Sequence, residues 1–164
     1  MAWTAPSTWV SGAILTAAQL NQQLRDNMLE LAPFFSAWTS WTPTMTQTGT
    51  LTFTITSAKY IKVGRLVIAY FDLTGFSGGT NAAAIVMNFG SGGTALPSAS
   101  TGSSIHGQFR WFDAGNTNYA GTIVGTSTTS VSFYEDGNGN PLGGGALASA
   151  GDVFQGQIIY EAAS

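Results

Sequence analysis

The sequence predicts a mainly β protein, an antiparallel β-sandwich or jelly-roll-like domain preceded by a short N-terminal α-helix. Three observations carry that expectation. After Gly49 the apolar residues recur with period two, in about eight short runs separated by Gly, Ser, Asn and Pro. Only one stretch, Trp9 to Leu31, has a helical period. No helix falls between the strand-like runs, so no βαβ unit is available for a parallel sheet and a sandwich or jelly roll is the remaining arrangement.

Residues 1 to 12 read as an extended arm carrying Trp3, Pro6 and Trp9. Each indole represents about 150–250 Å² of surface that is costly to leave in water. The two either fold back on their own domain or fill pockets in a neighbour. A helix follows. Thr16 is its N-cap, Gln19 completes a capping box, and Leu15 reaches over Leu20 as a hydrophobic staple. Pro33 ends it by pushing Ala32 out of helical geometry. Ala17, Leu20, Leu24, Met28 and Leu31 fall three or four apart on one face, while Gln22, Gln23, Arg25, Asp26 and Glu30 lie elsewhere. A helix of about fifteen residues is marginal in water, so the stripe needs a partner.

Residues 34 to 48 form a Thr- and Ser-rich connector whose aromatics and Pro43 imply that it packs rather than swings free. The β-domain spans 49 to 164. Its expected strands are 51–56, 59–63, 65–73, 83–89, 105–113, 119–124, 131–134 and 153–160, with a tight turn at Val63-Gly64-Arg65.

Composition narrows the function. The chain has 164 residues, enough for one domain and a short appendage. Only 8% are charged, against roughly 25% in ordinary soluble domains. The net charge of −3 includes no basic patch, which argues against a nucleic-acid partner. There is no cysteine, hence no disulfide framework and no thiolate metal site. The start lacks a basic region followed by an apolar run, so no signal peptide is expected, and no window is long and apolar enough for membrane insertion. Synthesis in a cytoplasm is the expectation.

Several segments carry a resemblance. Thr8-Trp9-Val10-Ser11-Gly12, then Leu15 to Asn21 and Leu24-Arg25-Asp26-Asn27, are similar to the opening of many tailed-bacteriophage virion proteins of the minor structural, tail-fibre and head-decoration types. Trp41-Thr42-Pro43-Thr44, Lys59 to Val67 and Leu96-Pro97 resemble later segments of the same group, and the likeness fades beyond Pro97. It implies a component of the virion surface, a capsid decoration or short head fibre, docked on a major capsid or tail protein. The alternative it leaves open is a tail-fibre or tail-tip protein that recognises host surface glycans.

The helix stripe is consistent with that picture. A narrow apolar seam suits a parallel homotrimer, with Leu20, Leu24 and Leu31 at the axis and Asn27, where it faces inward, as a polar layer that fixes register. The competing reading packs the helix on its own β-domain. Attachment and oligomerisation residues are therefore Trp3, Trp9, Leu20, Leu24, Asn27, Met28 and Leu31.

Enzymatic signatures are weak, and a non-enzymatic role is expected. Gly75-Phe76-Ser77-Gly78-Gly79 has nucleophile-elbow spacing, but the helix that the motif requires does not follow, and His106 lies in an alternating strand. Asp136-Gly137-Asn138-Gly139-Asn140 resembles half a calcium loop, with Glu135, Asp136 and Asp152 as the available carboxylates; Pro141 and Leu147 stand where glycine and glutamate are needed. No cofactor or metal is expected. One cluster, Arg110, Trp111, Asp113 and Tyr119, has the makings of a glycan contact, with the indole against a sugar face; the alternative places Trp111 in the core or in a trimer interface.

Overall fold

The structure, a computed structural model, describes residues 8–32, 38–78, 84–90, 95–114, 118–136, 141–142 and 151–163. It divides into two compact units, Met1–Ala37 and Trp38–Ser164.

In the first unit, helix α1 (Ala17–Leu20) begins as the sequence dictates. Thr16 is extended, its hydroxyl accepts from the Gln19 amide at 3.2 Å, and the Gln19 carboxamide oxygen accepts from the Thr16 amide at 2.9 Å. Two of the amides that a helix start leaves without partners are thereby satisfied. The winding then changes, to a π-helical segment over Asn21–Asp26, before helix α2 (Asn27–Leu31). A wider turn shifts the phase of every later side chain, so the seam expected from α-helical spacing does not continue straight through it.

Among the described residues, the second unit is a sheet of nine antiparallel strands: β1 (Thr39–Ser40), β2 (Thr44–Thr46), β3 (Thr50–Val63), β4 (Leu66–Gly78), β5 (Val86–Asn88), β6 (His106–Phe112), β7 (Asn118–Ser127), β8 (Ser130–Glu135) and β9 (Val153–Glu161). Eight of them close on one another in the order β3-β2-β5-β8-β7-β6-β9-β4, with β4 returning to β3; β1 adds to β3 outside the ring. The expected antiparallel β architecture is present, and closure makes it a barrel that leaves few open edges.

The expected strands 51–56 and 59–63 are one strand. Two register shifts, Thr52/Thr54 and Ile55/Ser57, break its alternation. Both lie where β3 is paired with β4 alone, between its short ladders to β2 at Leu51 and to β1 at Lys59. Bulges twist an open edge away from further pairing, which accounts for their position. From Trp38 onward the expected connector belongs to the barrel. Trp41 is buried, its indole N–H donating to the Tyr70 carbonyl at 3.2 Å, and Met45 is buried beside it in the core. The hairpin between β3 and β4 turns through Gly64, whose φ of 58° is the left-handed backbone that a two-residue primed turn needs.

Inside, large and small residues alternate around the ring. Phe71 on β4 is in register with Gly156 on β9, Gly156 with Phe109 on β6, and Phe109 with Gly121 on β7. A Cβ on Gly156 would stand 2.5 Å from Phe71 Cζ, and one on Gly121 2.9 Å from Phe109 Cε1. The glycines are therefore the spaces the rings occupy. Phe154 fills the centre, stacked on Phe71 with 5.5 Å between centroids and edge-on to Phe133 at 4.8 Å. Near one end Tyr160 stacks on Phe89 and donates its hydroxyl to the Pro97 carbonyl at 2.6 Å. Burial, with a smaller contribution from Tyr60, pushes its phenol above the usual tyrosine range.

Candidate functional site

Two surfaces bear on function: the apolar side chains of the first unit and the outward face of β4, β9, β6 and β7.

On the first, Trp9 (45%), Leu24 (55%), Met28 (67%) and Ile14 (92%) are exposed, together with Val10, Leu15, Leu20 and Leu29. Of the residues expected to attach or oligomerise, Trp9, Leu20, Leu24 and Met28 thus present their side chains outward. Trp3 and the Leu31 side chain lie outside the described residues. Asn27 is buried, and its carboxamide N–H donates to the Gln23 carbonyl one turn back at 3.3 Å. Its amide is engaged with its own helix before any second chain is added. The exposed Val10, Ile14 and Leu29 escaped the helical-face reading, because two precede the helix and the third falls after the π segment.

The second surface follows from strand parity. On β6, His106, Gln108, Arg110 and Phe112 point outward, while Phe109 and Trp111 point in. On β9, Gln155, Gln157 and Ile159 are outward. Pairing aligns them in rows: Tyr70, Gln157 and Gln108 in one, Asp72, Gln155 and Arg110 in the next. A third row, Ile68, Ile159, His106 and Val124, is apolar apart from the histidine. Tyr70, Gln108, Arg110, Gln155 and Gln157 surround a shallow depression of about 410 Å³ floored by Phe109 and Gly156. Gln155 donates its carboxamide N–H to Asp72 Oδ2 at 3.1 Å. Asp72 Oδ1 is buried with no hydrogen-bond partner.

Compared with known proteins, the chain matches no family model, no curated sequence and no solved structure.

The expected glycan cluster is rearranged. Trp111 is 1% exposed and Tyr119 stacks on it at 4.9 Å and 23°. An indole enclosed in that way offers no face to a sugar, which corrects its role: Trp111 is core. Arg110 is exposed, Asp113 and Tyr119 are half-buried, and Arg110 keeps company with Gln155 rather than with the indole. Parity could have found this, since Trp111 is two residues from the inward Phe109.

The chemical motifs fare as follows. Ser77 lies in β4, its hydroxyl hydrogen-bonded to that of Thr52 on the neighbouring strand, and Gly79 lies outside the described residues. His106 sits on the outward face of β6. Asp152 is fully buried and its Oδ1 accepts from the Ala114 amide at 3.0 Å. Glu135 closes β8, Asp136 is exposed, and 137–140 lie outside the described residues. Among the described residues no three His, Asp or Glu side chains gather as metal ligands.

Proposed function

We propose that this protein is a homotrimeric, non-enzymatic structural protein of a bacteriophage virion surface, attached through its N-terminal arm and helix and carrying the β-barrel as a capsid decoration or short head fibre. The observation that supports the reading is the concentration of exposed apolar side chains in the first unit: Trp9, Ile14, Leu24 and Met28 in a short segment. Burying a large apolar side chain contributes roughly 1.5–3 kcal/mol. Several such groups left in water make an apolar patch of the kind that marks a protein interface.

Second copies and a docking protein are the occupants that this proposal names. Three linked attachment points multiply a modest single-site affinity, because each further contact forms at high effective concentration. The sparse charge makes such attachment insensitive to salt, since little of it is electrostatic. The resemblance of Thr8 to Asn27 to virion proteins supplies the particle context.

The experiment is localisation. An antibody against the purified chain is expected to label intact particles from the phage that encodes it, with copy number a multiple of three. Purified particles that lack the chain altogether would overturn the assignment.

A further inference from the structure

We infer that the outward strip formed by Tyr70, Gln108, Arg110, Gln155 and Gln157 binds an oligosaccharide. The inference does not depend on the trimer or on the particle, and it uses a different part of the chain.

The first argument is clustering. Four glutamines occur after residue 37, and three of them stand side by side here, with one of the two arginines of that region. Register places them on neighbouring strands, so Gln108 and Gln157 are directly opposite and Arg110 opposite Gln155. Opposite side chains are about 5 Å apart and successive ones on a strand about 7 Å.

The second is that their hydrogen-bonding capacity is unspent. Among the described residues, Gln108, Gln157 and Arg110 make no side-chain hydrogen bond, and Gln155 makes one, to Asp72. Each amide has both donors and an acceptor, and the guanidinium has a planar fork of donors. A sugar hydroxyl is itself donor and acceptor, and a row of carboxamides answers both functions without a net charge. Gln155 commits one N–H to Asp72, which leaves its other N–H and its oxygen for a ligand.

The third is support. The strip lies on interior strands of a closed barrel, and Gly156 beneath it is locked between Phe71 and Phe109. The Tyr70 hydroxyl is held by Ser57 Oγ at 3.1 Å and its ring by Trp38, edge-on at 5.3 Å. A site held in place loses less entropy on binding than one assembled around its ligand. Tyr70 also adds an apolar ring on which the CH groups of a pyranose pack.

Protein partners suit the strip less well, because interface centres are enriched in aromatic and apolar residues rather than amides. The apolar row of Ile159 and Val124 beside it supplies the control.

The test is an array of immobilised neutral hexose, N-acetylhexosamine and uronic-acid oligomers. The wild-type chain is expected to bind at least one class. Gln108→Ala with Gln157→Ala is expected to weaken that binding at least tenfold, with an unchanged melting temperature, while Val124→Ser leaves it intact. Loss on Arg110→Ala confined to the uronic-acid arm would identify the carboxylate as the feature read. Nuclear magnetic resonance of the wild-type chain repeats the test without substitution: the side-chain amide signals of Gln108, Gln155 and Gln157 are expected to shift on adding the sugar. Wild-type protein that binds no sugar at millimolar concentration, or variants that bind as well as wild type, would overturn the inference. Neither result bears on particle localisation.

Discussion

Gly156 has no side chain because Phe71 is already there: a Cβ on the glycine would lie 2.5 Å from the Phe71 ring and 2.8 Å from the Gln108 carbonyl. One contact is to a side chain and the other to backbone, so a ring shift alone does not relieve it. Gly156→Ala is expected to cost about 1–3 kcal/mol through overpacking. Urea unfolding is the measurement, with the midpoint lowered and the slope unchanged. Shortening the ring, Phe71→Leu, is expected to restore part of the loss only when the alanine is present. An alanine variant as stable as wild type would show that the two positions are not one fit.

Trp41 and Trp111 are equally buried, at 2% and 1% exposure, but only Trp41 donates its indole N–H, to the Tyr70 carbonyl. The indole N–H of Trp111 is buried without a partner. Replacing each by phenylalanine removes similar volume, but one change removes a hydrogen bond and the other removes a polar group that was already stranded. Trp41→Phe is therefore expected to cost about 1–2 kcal/mol more than Trp111→Phe in the same unfolding experiment. The reverse order would contradict these hydrogen-bond assignments.

Tyr160 keeps its proton at pH values where an exposed tyrosine loses it, because burial disfavours the phenolate. Its folded pKa is raised above the unfolded value of 10.0, so its contribution to stability is complete below about pH 10 and declines as pH rises beyond that. Ultraviolet titration is expected to show no phenolate from Tyr160 until the barrel unfolds, so wild type and Tyr160→Phe give the same folded-state curve. In Tyr160→Phe the alkaline loss of stability is expected to be shallower. A phenolate signal near pH 10 in the folded wild type that Tyr160→Phe removes would contradict this.

Thr16 and Gln19 form a reciprocal cap on a helix with a π-helical middle. Thr16→Ala is expected to weaken the helix by about 1 kcal/mol. Amide exchange at Gln19 and Leu20 reads that directly, since both amides are bonded to Thr16. Unchanged exchange there would remove the cap from the explanation.

These relationships also show which parts of the molecule were legible. Thr16, Gln19 and the strands from β6 to β9 follow from local rules, because capping and period-two alternation are written in neighbouring residues. Strands β1 and β2 are two and three residues long and rich in Thr, so they carry no period. The sequence of β3 reads as two strands because its bulges interrupt the alternation. Closure of the barrel depends on Thr52 to Lys62 meeting Val67 to Ser77 and on β2 meeting β5, pairings that no single window contains. The strip around Gln108 needed only parity on β6 and β9 plus their register, and the register alone was missing. The π segment from Asn21 to Asp26 has no signature in residue type.

Attachment through the first unit requires that other polypeptide chains cover its exposed side chains. Native mass spectrometry of the purified chain at micromolar concentration, beside Leu24→Asp, measures this most directly. The expected result is a trimer for wild type and a shift to monomer for Leu24→Asp, with the barrel still folded. A wild-type monomer indistinguishable in mass and stability from the aspartate variant would contradict it.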